Sequence, residues 1–185
     1  MKINMFNFFK RKKTFQYSFA ISSFTPLKIV GALYPLFLSL AGKGLPAYYF
    51  RFMVEFSDLL KVEDLIAKRF KIKNVKENEC LYNLGNALHY YKFKDLNFIS
   101  IDIITNDNNF IADLNSIRLE PPSPDKVFPH LILDSYGSLQ GELAFWWDIY
   151  WEPFWNSLTE EDHNKYIERK KLSNEVVLFL RHHQK

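Results

Sequence analysis

The chain has 185 residues, which suits a single domain. Its 48% hydrophobic and 24% charged content, with only 6 Gly and 8 Pro, excludes collagen-like, low-complexity and disordered classes. The one cysteine, Cys80, excludes an intrachain disulfide framework and a multi-cysteine zinc ribbon. Aromatic residues reach 17%, and such side chains bury enough area for a chain of this length to build a sizeable core.

The net charge of +3 hides a division. Residues 1–94 carry 16 Lys/Arg against 6 Asp/Glu, and residues 95–185 carry 8 against 15. Within 95–163 only Arg118 and Lys126 stand against 13 carboxylates. Either this asymmetry marks a surface for a charged partner, or the halves fold together and their charges intermix.

In chain order, residues 1–13 are a basic, aromatic tip in which Phe6, Phe8 and Phe9 precede Lys10-Arg11-Lys12-Lys13. A frayed terminus is the plain reading, and contact with an anionic membrane surface is the alternative. Ile29–Ala41 is the best candidate for a secretory-signal core, but Pro35 interrupts it and the basic stretch before it is long. No uninterrupted apolar run is long enough to span a bilayer, so a cytoplasmic protein without stable membrane insertion is expected.

Phe15, Tyr17, Phe19 and Ile21 alternate with smaller or polar residues, as in a short strand. Thr25 and Pro26 predict a helix start, running toward Leu40, kinked at Pro35 and stopped by Gly42-Lys43-Gly44. Pro46 opens a second helix with Tyr49, Phe52, Met53, Phe56, Leu59 and Leu60 on one face, resumed through Leu65, Ile66 and Phe70. Cys80, Leu81, Leu84, Leu88 and Tyr91 give a further helical stripe. Ile99, Ile101 and Ile103 alternate with Ser100 and Asp102 before a turn signal at Asn106–Asn109. A small hairpin and a helix from Asp95 to Ile104 both fit that pattern.

Pro121, Pro122, Pro124 and Pro129 make 120–130 a loop, because prolines lack the backbone donor and fix φ. Leu143, Trp147, Tyr150, Trp151, Phe154 and Leu158 then follow helical spacing, with Pro153 kinking or restarting the helix. Thr159 and Asp162 form a capping-box variant. Ser173 is placed to cap a last helix over Glu175–Arg181, although Val176–Phe179 would also suit a strand. The fold expected is mainly α: a single compact helical domain over residues 14–185, with at most one small β-hairpin or short strands.

Catalytic spacings are absent from this reading. Cys80 and His89 would point to opposite sides of one straight helix, so Cys80 reads as a small core residue. His89, His130 and His163 lack short ligand spacing, and the scattered glycines form no phosphate loop. No metal or cofactor is expected. The best carboxylate pair is Asp148 and Glu152, four apart, which reads more simply as an acidic helix face than as an acid–base pair.

The distinctive segment is 137–166, where all four tryptophans fall. Trp147, Trp151 and Trp155 form an i, i+4, i+8 stripe that suits a core, whereas Trp146 lies about 100° away around a helix. Around them stand Asp134, Glu142, Asp148, Glu152, Glu160, Glu161 and Asp162. Aromatic anchors rimmed by carboxylates suit a surface that docks a basic protein, and the same acidity repels nucleic acid.

Gly137–Glu142, Phe145–Asp148, Trp151–Trp155 and Ser157–Glu161 together resemble a C-terminal helical motif of immunity proteins from bacterial contact-dependent-inhibition and type VI secretion systems. The likeness implies a cytoplasmic, non-enzymatic protein that binds one toxin domain, often a nuclease, and blocks its access to substrate. The expected interface is Asp134, Glu142, Trp146, Asp148, Glu152, Glu160, Glu161 and Asp162. Two alternatives are a metal-assisted hydrolase using Asp148, Glu152 and a distant histidine, and a peripheral membrane protein using the N-terminal Phe/Lys tip.

Overall fold

The structure, a computed structural model, describes Phe19 and residues 34–184. The N-terminal tip, most of the predicted strand at 15–21 and the predicted helix start at Thr25 lie outside the described residues. The rest overturns the mainly helical expectation. A five-stranded antiparallel sheet carries helices in a mixed α and β fold. The strands are β1 (Phe37–Ser39), β2 (Tyr48–Val54), β3 (Glu79–Asn83), β4 (Asn86–Asp95) and β5 (Phe98–Thr105), in the order β1-β2-β5-β4-β3. Helix α1 (Phe56–Phe70) joins β2 to β3, and α2 (Asn108–Ser116) follows β5.

Four strands, β1 to β4, lie where helix was expected. In β2, Tyr-Tyr-Phe-Arg-Phe-Met-Val is apolar at six of seven positions, and five of its residues are buried. A strand with apolar side chains on both faces shows no alternation, so its residues also fit a helical template. Its aromatic and β-branched content favours extended backbone. The predicted stripe from Cys80 to Tyr91 is the β3–β4 hairpin. It turns through Leu84 (φ 48°) and Gly85 (φ 82°), and the β4–β5 hairpin turns through Leu96 (φ 46°) and Asn97 (φ 66°). Positive φ at both central residues is the two-residue turn that matches strand twist. Leu-Gly and Leu-Asn are weak signals for it, and the hairpins pass unnoticed. Ile99, Ile101 and Ile103 do form a strand, but Asn106–Asn109 leads into α2 rather than back into a hairpin partner. Asp107 caps α2 by accepting from the Asn109 and Phe110 amides. Leu38 and Pro35, predicted helical, lie in or before a strand.

Residues 120–130 are a proline loop with one short turn, α3 (Pro124–Val127). The last third is helical as expected. It comprises α4 (Gly141–Trp146), a π-helical turn (Trp147–Trp151), α5 (Glu152–Trp155), α6 (Glu160–Lys170) and α7 (Asn174–His183). Thr159 caps α6 with its hydroxyl on the Asp162 amide, and Ser173 caps α7, so 174–183 is helix and not strand.

Register places Arg51, Asp102, Tyr49, Ile104, His89 and Tyr91 on one face of the sheet, and Phe50, Phe52, Ile101, Ile103 and Tyr90 on the other. The second face meets α1, which buries Leu59, Val62, Ile66 and Phe70 and ties down Tyr90 and Lys92 through Glu63. The π turn leans on the first face, where the Ser100 hydroxyl donates to Tyr150 and Tyr150 donates to Asp95 (3.0 and 2.8 Å). A principal core cluster runs from Tyr34 to Leu180, and a smaller one gathers Phe19, Leu40, Leu45, Ala47, Ala87 and Ile104.

Candidate functional site

The tryptophan segment is built around Pro153. In a regular α-helix its ring would crowd the carbonyl four residues back, at Ile149, and its missing amide would break the ladder. The backbone widens instead, and the Glu152 amide reaches the Trp147 carbonyl in an i to i+5 bond. This one-turn widening changes which tryptophans align. Trp146, not Trp147, stacks on Trp151 (5.3 Å), Trp151 stacks on Trp155 (5.4 Å), and Trp155 stacks on His163 (4.0 Å). Trp147 turns toward α7 and meets Phe179 and His183 edge-on. Trp146 is fully buried, so its assignment to a contact surface is corrected. The straight-helix estimate that set it apart from the core fails because the helix is not straight.

The indole nitrogens of Trp146, Trp151 and Trp155 and the Tyr166 hydroxyl are buried and make no hydrogen bond among the described residues. The column is held by apolar and ring contacts. His163 is buried beside it and donates through Nε2 to the Trp155 carbonyl (2.8 Å). It packs face to face on the Trp155 ring.

The acidic segment divides into two sets. Asp102 is nearly inaccessible and receives Nε and Nη2 of Arg51 at 2.7 and 2.6 Å, with the Tyr49 hydroxyl at 3.0 Å. Burial alone lowers the Arg51 pKa, and the Asp102 hydrogen bonds and charge more than reverse it. Burial, then the Asp102 charge, pushes the Tyr49 phenol well above its usual range. Asp107 receives Arg69 in the same two-point manner, and Glu120 faces Arg169 and Lys170. The Arg51–Asp102 and Arg69–Asp107 pairs join the basic half to the acidic half, while Glu120 is balanced within its own half.

The second set stays outside. Asp134, Glu142, Asp148 and Glu160 are exposed and make no ion pair among the described residues. Glu161 pairs with Lys165, and Asp162 accepts from the Thr159 hydroxyl, which lowers its pKa. Glu160, Glu161 and Asp162 occupy the first turn of α6, where negative charge complements the helix dipole. Glu152 is half-buried and engaged.

Of the expected residues, Asp148 lines a cleft among the described residues. The cleft has a volume of about 270 Å³ and is walled by Leu36, Leu38, Tyr49, Arg51, Ile149 and Pro153. The π turn supplies Asp148 and Ile149, and such turns recur at functional sites. Leu36, just before β1, and Leu38, within it, both line the cleft and remain 50% and 53% exposed. These walls were missed because 26–40 reads as helix. Two signals were available: the Leu-x-Leu alternation, and a lone arginine within a run of aromatics, which marks a charge that needs a buried partner.

The cleft holds neither Glu152 nor a histidine, so the two carboxylates and histidine of a hydrolase do not converge there. No group of three or more metal-ligating side chains forms among the described residues. Cys80 and His89, expected to lie apart, are cross-strand partners in the β3–β4 hairpin, since the segment is sheet and not helix. The Cys80 sulfur contacts the Tyr82 hydroxyl at 3.5 Å. No helix among the described residues is long and apolar enough to cross a membrane. No family model matches the chain, and no curated protein or solved structure matches it.

Proposed function

We propose that this is a cytoplasmic binding protein of the immunity type, which neutralises a basic toxin domain through carboxylates of its C-terminal half. The observation that carries the reading is that Asp134, Glu142, Asp148 and Glu160 are exposed and make no ion pair among the described residues. Carboxylates left over after folding are available to a partner, and they steer encounter with a basic surface. A nuclease domain needs such a surface to hold phosphates. The buried tryptophan column gives this half a rigid support, and the interface draws on the rim instead.

The test is co-purification with the product of the adjacent gene, followed by affinity measured against salt. Reversal of Glu142 and Asp148 to lysine should weaken binding at least tenfold and flatten its salt dependence. Unchanged affinity in the double reversal removes this interface, and the lack of any adjacent toxin gene removes the immunity reading itself.

A further inference from the structure

We infer that the cleft between β1, β2 and the π turn is a socket for one cationic side chain, a lysine or arginine, of the basic partner. The inference rests on the immunity reading for the identity of that partner, but the chemistry of the socket is a property of this chain alone. Leu36, Leu38, Ile149 and Pro153 form apolar walls, and Leu36 and Leu38 stay half-exposed on them. Long basic side chains are suited to such a wall, because their methylene stems lie against apolar surface while the charged head stays at a polar rim.

The charge of the lining decides the sign of the ligand. Arg51 is in the wall, but Asp102 holds it at two points and cancels its charge. Tyr49 is neutral, its hydroxyl committed to Asp102. Asp148 is exposed at the cleft with no ion pair among the described residues. Among the described residues the net lining is therefore apolar with one uncompensated negative charge, which selects a cation carrying an aliphatic stem over a neutral or anionic group. Asp134, Glu142 and Glu160 lie outside the cleft and contribute at most a longer-range attraction.

The experiment needs no toxin. The intact, isotope-labelled chain is titrated with n-hexylammonium, N-acetyl-arginine methylamide, n-hexanol and hexanoate, and amide shifts are followed by NMR. Expected is saturable binding of both cations, with shifts centred on Leu38, Asp148 and Ile149. The cations should bind about two- to fivefold more tightly than hexanol, the preference expected for one exposed ion pair. Asp148→Asn should erase that preference and leave hexanol binding unchanged. Leu38→Ala should weaken the cations and hexanol alike. Equal binding of cation and alcohol, preference for hexanoate, or no saturable shift at these residues overturns the socket. If the cations bind as expected but the neighbouring gene product does not bind the chain, the immunity reading fails and the socket stands.

Discussion

The two sets of carboxylates between residues 95 and 163 differ in what surrounds them rather than in chemistry. Asp102 and Asp107 sit on the sheet and at its exit, buried, each clasped by an arginine from the basic half. Asp134, Glu142, Asp148 and Glu160 sit on the helical layer, in water, without a counter-ion among the described residues. The sequence-level charge division is therefore partly a folding device and partly a surface. Removing one member of a buried pair leaves its partner uncompensated in low dielectric, whereas removing an exposed carboxylate leaves only water behind. Stability measurements should separate the sets cleanly.

The largest effect is expected where neither set acts. Trp151 is fully buried, and its ring stacks on both Trp146 and Trp155. Trp151→Ala should cost about 3–5 kcal/mol in urea unfolding, because the column loses its middle ring. A loss below roughly 2 kcal/mol would mean that the layer repacks and the column is not its support. Next comes Asp102→Ala, expected to cost about 3 kcal/mol, since it strands the Arg51 guanidinium and the Tyr49 hydroxyl together.

A third effect appears with pH. Tyr34, Tyr49, Tyr90, Tyr150 and Tyr166 all have pKa values raised above the ordinary 10.0, burial being the largest cause in each. Above about pH 10 the unfolded phenols lose protons while the folded ones keep them, so the unfolded state binds fewer protons and stability falls with rising pH. Below that pH the contribution is fully present. Each phenol held neutral adds a slope of roughly 1.4 kcal/mol per pH unit. Unfolding free energies at pH 8, 9, 10 and 11 should be level at first and then drop steeply. A flat profile to pH 11 would contradict the burial of these hydroxyls.

What the sequence revealed follows the same division. The C-terminal helices were legible because their signals are local: Thr159 and Ser173 at caps, and helical spacing over 143–158. The sheet was not, because β2 carries apolar side chains on both faces, Tyr49 and Met53 on one and Phe50 and Phe52 on the other, and so shows no alternation. Its hairpins turn at Leu84-Gly85 and Leu96-Asn97, without the Asn-Gly that would announce them. The aromatic excess was read as helix stripe, when Tyr48–Phe52 and Tyr90–Phe93 were its strand component. Of the expected site, the exposed carboxylates were legible from composition. Trp146 was not, since its place in the column depends on a π turn that period-based reading does not represent. The cleft joins Leu36 and Leu38 to Asp148 across more than a hundred residues, and only the tertiary structure brings them together.

The smallest stability effect carries the sharpest functional contrast. Glu142→Lys and Asp148→Lys replace exposed side chains that hold no partner among the described residues. Each should change unfolding free energy by no more than about 0.5 kcal/mol. The same pair of changes is expected to weaken partner binding at least tenfold, so stability and binding move independently. Asp102→Ala gives the opposite pattern. Most of its effect should appear in unfolding, and any loss of binding beyond the unfolded fraction reports the Arg51 charge that Asp102 no longer cancels in the cleft wall. If the Glu142 and Asp148 reversals destabilised the chain as strongly as Asp102→Ala, the exposed set would belong to the fold, and the surface reading would have to move to other residues. Urea melts of the variants at one salt concentration, set beside affinities for the neighbouring gene product at several, decide between the two.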